Sequence, residues 1–228
     1  MAEAINYNTA RFVRSYGAAS QIPPSTCPEV VFAGHSNVGK SSLMNKLFNR
    51  KNLVKVSSTP GKTCNINFFE ADGVHFVDLP GYGYAERSAA ERQRWADLIN
   101  DYFAQDRSFN LVVALVDIRH DPTKLDVRMI EFLQEYDFTF VVALTKADKI
   151  SRGQQARQAA AVEKKLPGVP RDDFIITSAK TGQGIPELKQ VIIDCCLEDD
   201  ENDPDMVDET SSEEPDTERE TPANGPDE

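Results

Sequence analysis

The chain has 228 residues, of which 40% are hydrophobic, 27% charged and 8% aromatic, the make-up of one well-buried domain with a tail; collagenous, disulfide-scaffold and wholly disordered classes are excluded. The net charge of -12 comes from residues 198–228, where seven Asp and eight Glu face only Arg219, so residues 1–197 are near neutral and a polyanionic partner stays open. Cysteines 27, 64, 195 and 196 and the three histidines make no zinc spacing, no run approaches the roughly 20 apolar residues that span a bilayer, and the first residues lack a secretion-signal core, so a cytoplasmic protein with reduced thiols and no membrane contact is expected.

Residues 1–25 read as an N-terminal extension in which Tyr7, Phe12, Val13 and Tyr16 pack a short helix or strand onto the body. From 26 to 197, apolar β-rich runs alternate with helical stretches. Strands are expected at 29–33, 65–70, 74–78, 111–117, 138–144 and 173–177, and helices at 40–48, 89–105, 123–136, 153–165 and 186–197. The runs at 111–116 and 140–144 are continuously apolar, as in strands buried on both faces. Asp72-Gly73 signals a hairpin. The expectation is an α/β, doubly wound, mostly parallel six-stranded sheet with one antiparallel edge strand. Residues 198–228 are too charged and too poor in apolar side chains to offset their ordering entropy, and read as an acidic disordered tail.

Gly34, His35, Ser36, Asn37, Val38, Gly39, Lys40 and Ser41, followed by Ser42, fit G-x-x-x-x-G-K-[ST] between a strand and a helix. Such a loop cradles phosphates. Its glycines let backbone N–H groups wrap the oxygens, the helix N-terminus adds positive dipole, Lys40 reaches the β and γ phosphates, and Ser41 places a hydroxyl on Mg²⁺. Thr145-Lys146-Ala147-Asp148 directly follows the apolar strand expected at 138–144, at the carboxyl edge where open α/β sheets bind ligands. A carboxylate there accepts from guanine N1–H and the exocyclic amine, donors that adenine lacks. Lys146 lies along the base, and Thr177, Ser178 and Ala179 complete the pocket, with the Ala179 N–H directed at the guanine carbonyl.

Asp78-Leu79-Pro80-Gly81 ends another strand: Asp78 holds Mg²⁺ through a water and the Gly81 N–H meets the γ-phosphate. Thr59-Pro60-Gly61-Lys62-Thr63 precedes a strand; Thr63 coordinates Mg²⁺ and closes a switch loop in the triphosphate state, and Cys64 and Asn65 are counted with the site. Lys40, Thr63 and Gly81 are the candidate catalytic residues, with Ser41 and Thr63 as metal ligands.

Together GHSNVGKSS, TPGKT, DLPGYGYA, DIRHDPT, TKAD and TSAK resemble the EngB family of bacterial ribosome-assembly GTPases over about residues 24–197. That resemblance implies GTP and GDP as ligands, Mg²⁺ as cofactor, a monomeric switch, and the large ribosomal subunit as partner, with rRNA contact and a link to cell division and septation. The acidic tail lies outside the family pattern. Many GTPases place a water-orienting glutamine after the DxxG glycine; here Tyr82 stands there, so slow intrinsic hydrolysis is expected, with a partner surface or monovalent cation supplying the missing stabilisation. Asn37 occupies the position that ligates K⁺ in some related GTPases, or simply hydrogen-bonds its own loop. Tyr82 and Tyr84 engage a partner or are buried in a packing face, and Arg119 structures an effector face or pairs with Asp117 or Asp121. Rival readings are a guanine-nucleotide sensor with negligible turnover and a P-loop kinase or ATPase, against which Asp148 speaks.

Overall fold

The computed structural model describes residues 4–55, 64–83 and 88–197. Its strands are β1 (Arg11–Tyr16), β2 (Glu29–Gly34), β3 (Ile66–Ala71), β4 (Val74–Asp78), β5 (Phe109–Asp117), β6 (Phe140–Thr145) and β7 (Phe174–Ile176). Helices α1 (Lys40–Leu47), α2 (Ala89–Phe103), α3 (Lys124–Glu135), α4 (Arg152–Glu163) and α5 (Ile185–Leu197) alternate with them. The sheet order is β1-β3-β4-β2-β5-β6-β7.

Alternation within the central strands explains their unbroken apolar sequence. Val31 and Ala33 of β2, with Val112, Ala114 and Val116 of β5, face the core under α2, α3 and α4. Val30 and Phe32, with Leu111, Val113 and Leu115, face the core under α1 and α5. All six β2 residues are buried. Chain order reverses at β2, which pairs in parallel with β4 on one side and β5 on the other, and this opens a crevice at the carboxyl ends of the strands. Helices α2, α3 and α4 each begin with a capping box, Ser88 with Glu91, Thr123 with Asp126 and Ser151 with Gln154.

Seven strands stand where six were expected. The seventh, β1, lies in the extension read as a short helix or strand; five of its six residues are exposed, Phe12 50% and Val13 41%, so of the four side chains expected to pack only Tyr7 and Tyr16 are buried. Its pairing with β3 holds it in place. The Asp72-Gly73 hairpin forms, with both residues at positive φ. Antiparallel β3, however, is not the edge, because β1 covers it. Phe138 lies outside β6: Asp137 turns through φ 52° and the Phe138 N–H closes the end of α3 on the Leu133 carbonyl. Tyr7, in a short turn before β1, joins the core beside Phe76. Among the described residues no helix is long and apolar enough to cross a membrane.

Candidate functional site

The phosphate loop joins β2 to α1. Gly39 sits at φ 111°, a backbone conformation that a Cβ strains, and delivers the chain into α1 at Lys40. Lys40 sends its ammonium to Asp78 Oδ1 at the end of β4, and Asp78 also accepts from Asn67 Nδ2 at 3.4 Å. The P-loop lysine and the DxxG aspartate are thus brought together from two parallel strands. Asp78 is 7% exposed, so its charge is held by these partners rather than by bulk water. Ser41 is half-buried and Ser42 exposed in the first turn of α1.

Beyond β4 the chain folds onto the phosphate loop. The Leu79 N–H bonds the Phe32 carbonyl, the Tyr82 N–H bonds the Gly34 carbonyl, and the Ser36 N–H donates to the Tyr82 carbonyl at 2.7 Å. Gly81 lies against Ser36. Gly83, at φ 75°, packs on the His35 ring, where a Cβ would collide. The Pro80 carbonyl accepts from Trp95 Nε1 at 2.7 Å. Of the two tyrosines considered, Tyr82 is buried: its ring meets His35 and Trp95 edge-on, and its hydroxyl donates to Asp126 Oδ1 at 2.8 Å. Burial, with Asp126 beside it, pushes the phenol pKa well up, so the tyrosine stays neutral. Tyr84 lies outside the described residues.

The segment expected to read the base is held from three sides. Thr145, buried at the end of β6, donates to the Val38 carbonyl at 2.7 Å. Lys146, at φ 62°, donates to the Asn37 carbonyl at 2.6 Å and pairs with Asp117 at 2.9 Å. Two motifs more than a hundred residues apart in sequence are thereby clamped to one loop. The Ala147 N–H bonds the Thr177 carbonyl, and Gln155 donates to the Ala147 carbonyl at 2.8 Å. Asp148 Oδ1 accepts from the buried Ser178 hydroxyl at 2.8 Å, which lowers its pKa and keeps it an anion. Ser178 is fixed in turn by the Gly182 and Thr181 N–H groups, with Ala179 half-buried in that turn.

Arg119 resolves as an ion pair with Asp117, donating to both oxygens at 2.9 and 2.7 Å, while Asp121 pairs with Lys165. Burial works to raise the Asp117 pKa, but the bonds from Arg119 and Lys146 outweigh it and hold the group at about 2. Thr59, Pro60, Gly61, Lys62 and Thr63 lie outside the described residues. Cys64 packs partly buried against the core, and the Asn65 amide donates to Ser15 of β1 at 2.8 Å. Sequence reasoning missed Asn67 and Asp126. Asn67 gave no signal, since its role depends on the β3–β4 register; Asp126 was visible as the fourth residue of the Thr123 capping box, but its bond to Tyr82 was not.

Comparison with known proteins agrees with this geometry. Residues 29–146 match the family described as 50S ribosome-binding GTPase. A Streptococcus sanguinis (strain SK36) protein described as a probable GTP-binding protein EngB is 46% identical over 190 residues, 83% of this chain and 97% of its own. Its counterpart in Streptococcus pneumoniae (strain Hungary19A-6), of the same description, is 44% identical over 191 residues, 83% of this chain and 98% of its own. The crystal structure of a probable GTP-binding protein engB superposes with a TM-score of 0.61 at 29% identity, covering 73% of this chain and 97% of that one. With the phosphate loop, DxxG and base-reading segments assembled at one sheet edge, and relatives matched over nearly their whole length, the chain belongs to the EngB family of GTP-binding proteins.

Proposed function

We propose that this protein is a guanine-nucleotide switch that hydrolyses GTP to GDP and phosphate, slowly by itself, and gates a step in large ribosomal subunit assembly. The observation that carries the nucleotide half is the convergence of Lys40 with Asp78, Lys146 with the Asn37 carbonyl and Asp148 with Ser178 at the carboxyl ends of β2, β4, β6 and β7. Lys40 would leave Asp78 for the phosphates, a charge-assisted bond that strengthens as negative charge develops during in-line attack by water. Gly81, lying against Ser36, would offer its N–H beside the phosphate loop. Asp148 reads the base as an anion, with Lys146 bracing base pocket and loop together.

The residues present fit Mg²⁺. Ser41 follows Lys40 in the first turn of α1, and the Lys40 ammonium meets Asp78 at the end of β4, so one hydroxyl and one carboxylate would be offered there, with Thr63 outside the described residues. That suits a hard ion that keeps several waters and takes the rest of its shell from phosphate oxygens. When bound it would neutralise charge on the β and γ phosphates.

Slow turnover is supported by Tyr82, whose hydroxyl is committed to Asp126 on the side of α3. The same observation favours a second reading, a sensor that binds guanine nucleotides and barely turns over. Membership in a family described as ribosome-binding supports the large subunit as partner and a cytoplasmic location; cell division and septation would follow through ribosome supply. The boundaries proposed for the working domain are residues 26–197, with an extension before and an acidic tail after. The test is GTP turnover in K⁺ and in Na⁺, with and without large ribosomal subunits, repeated for Asp148→Asn. Stimulation by subunits, with the variant shifted toward xanthine nucleotides, supports the switch. Tight guanine binding without stimulated turnover supports the sensor, and ATP competing equally with GTP overturns both.

A further inference from the structure

Helix α4 starts at the capping box of Ser151 and carries Gln155 at its fourth position. Gln155 is only 7% exposed, and a primary amide buried that deeply must find partners for both its ends. Its Nε2 donates to the Ala147 carbonyl at 2.8 Å and lies 3.5 Å from the Ile150 carbonyl, while its Oε1 accepts from Gln183 Nε2 at 2.9 Å. Two carbonyls on one side fix the polarity of this chain of bonds. Since carbonyls only accept, the Gln155 nitrogen faces them, its oxygen faces Gln183, and Gln183 is the donor.

The bonds close into a ring. Gln155 holds Ala147, whose neighbour Asp148 accepts from the buried Ser178 hydroxyl at 2.8 Å; the Ser178 N–H bonds the Gln183 carbonyl at 3.0 Å, and the Gln183 side chain returns to Gln155. Within the ring, the Ala147 N–H on the Thr177 carbonyl and the Gly182 N–H on the Ser178 carbonyl act as braces. Thr145 takes no part in this closure, because its hydroxyl donates to the Val38 and Val116 carbonyls. Asp148 and Ser178 stand thirty residues apart in the chain, so their alignment depends on what ties the two segments together.

We propose that Gln155 and Gln183 are positioning residues for base recognition: they set where the Asp148 carboxylate stands relative to the turn that carries Ala179, and hence how sharply the site separates guanine from a purine without the exocyclic amine. Guanine, on the proposed reading of Asp148 on which this rests, offers two parallel donors, N1–H and the amine, to one carboxylate, and a bidentate pair tolerates little rotation of its acceptor. Ser178 sets that rotation by holding Oδ1, and Ser178 lies on a turn whose own anchor is Gln183. With the link to Gln155 cut, the turn drifts relative to Ala147 and takes the Oδ1 bond with it. A single bond to N1–H survives such drift by re-aiming; two parallel bonds do not.

The test is competition against fluorescent GDP on the full chain, with GDP, inosine diphosphate and ADP as competitors. Inosine diphosphate lacks only the exocyclic amine of GDP. The unmutated protein should bind GDP about tenfold or more tighter than inosine diphosphate, as one hydrogen bond to a charged acceptor supplies, and ADP more weakly still. Gln183→Ala, at an exposed position, opens the ring without disturbing the core and should shrink the ratio of GDP to inosine diphosphate affinity about threefold. Gln155→Met keeps the buried volume but removes both bonds, and should shrink the ratio at least as far. The double variant should go no further than Gln155→Met, because one ring is opened only once. A merely structural role would weaken GDP and inosine diphosphate alike; an unchanged ratio in Gln183→Ala, or losses that add in the double variant, overturns the assignment. Equal binding of GDP and ADP by the unmutated protein overturns instead the reading of guanine by Asp148, so the two failures are told apart in one set of titrations.

Discussion

Replacing Arg107 with alanine should unpin the amino end of β2. Glu29 is fully buried and accepts four hydrogen bonds: from Arg107 Nη2 at 2.5 Å and Nε at 3.1 Å, Ser25 Oγ at 2.9 Å and Tyr102 OH at 3.0 Å. Arg107 also reaches the Pro23 carbonyl, so the cluster ties the segment before β2 to the end of α2. Burial alone would raise the Glu29 pKa, but the His75 imidazole, the Arg107 guanidinium and Ser25 outweigh it and bring the carboxyl to about 2 from an ordinary 4.5. A shift of that size is worth about 3 kcal/mol of stability. Because the folded-state pKa lies below the unfolded one, this contribution is complete above about pH 4.5 and fades as the pH falls toward 2. Removing Arg107 leaves a buried carboxylate with neutral donors and an imidazole 3.9 Å away, at a cost of about 3–5 kcal/mol near pH 7 and a Tm lowered by roughly 10 °C. Urea unfolding followed by circular dichroism at pH 7, 5, 4 and 3 measures both effects. Arg107→Ala should lose most at pH 7 and show a flatter acid limb than the wild type, since its Glu29 gains less from ionisation. A loss under about 1 kcal/mol at pH 7, or an acid limb parallel to the wild type, would refute the assignment of Glu29 and Arg107 as the pin.

Tyr82→Phe removes one donor to the buried Asp126, which keeps its bonds from Thr123; a stability loss of about 1–3 kcal/mol is expected in thermal melts, and a neutral result would mean Asp126 finds water instead. Lys146→Ala deletes the link from the base-reading segment to the Asn37 carbonyl and one of the two cations at Asp117, so GDP affinity by calorimetry should fall about tenfold or more. Gly39→Ala forces a Cβ onto φ 111° in the loop that meets the phosphates; nucleotide binding should be lost while the far-ultraviolet circular dichroism stays native, and retained binding would count against this loop as the phosphate cradle.

Local chemistry and motif order together made the candidate nucleotide segments legible. A glycine-rich turn entering a helix is the strongest local signal, while an Asp after an apolar strand and a DxxG at a strand end gain weight from their order along the chain, because phosphate cradling and base reading place strict demands on neighbouring backbone and side chains. The continuous apolar runs of β5 and β6 likewise fixed the fold class, since only strands covered on both faces are built that way.

Tertiary structure decided what depends on partners distant in the chain. Phe12, Val13 and Tyr16 left Arg11–Tyr16 open between a short helix and a strand, and it becomes β1 because β3 offers it an unpaired edge. Asn67 meets Asp78 through strand register, Tyr82 finds Asp126 forty-four residues on, and Glu29 is matched to Arg107 and Tyr102 across the amino end of the sheet. Hydrophobic periodicity records which face of an element is buried, and nothing in it records which other element does the burying.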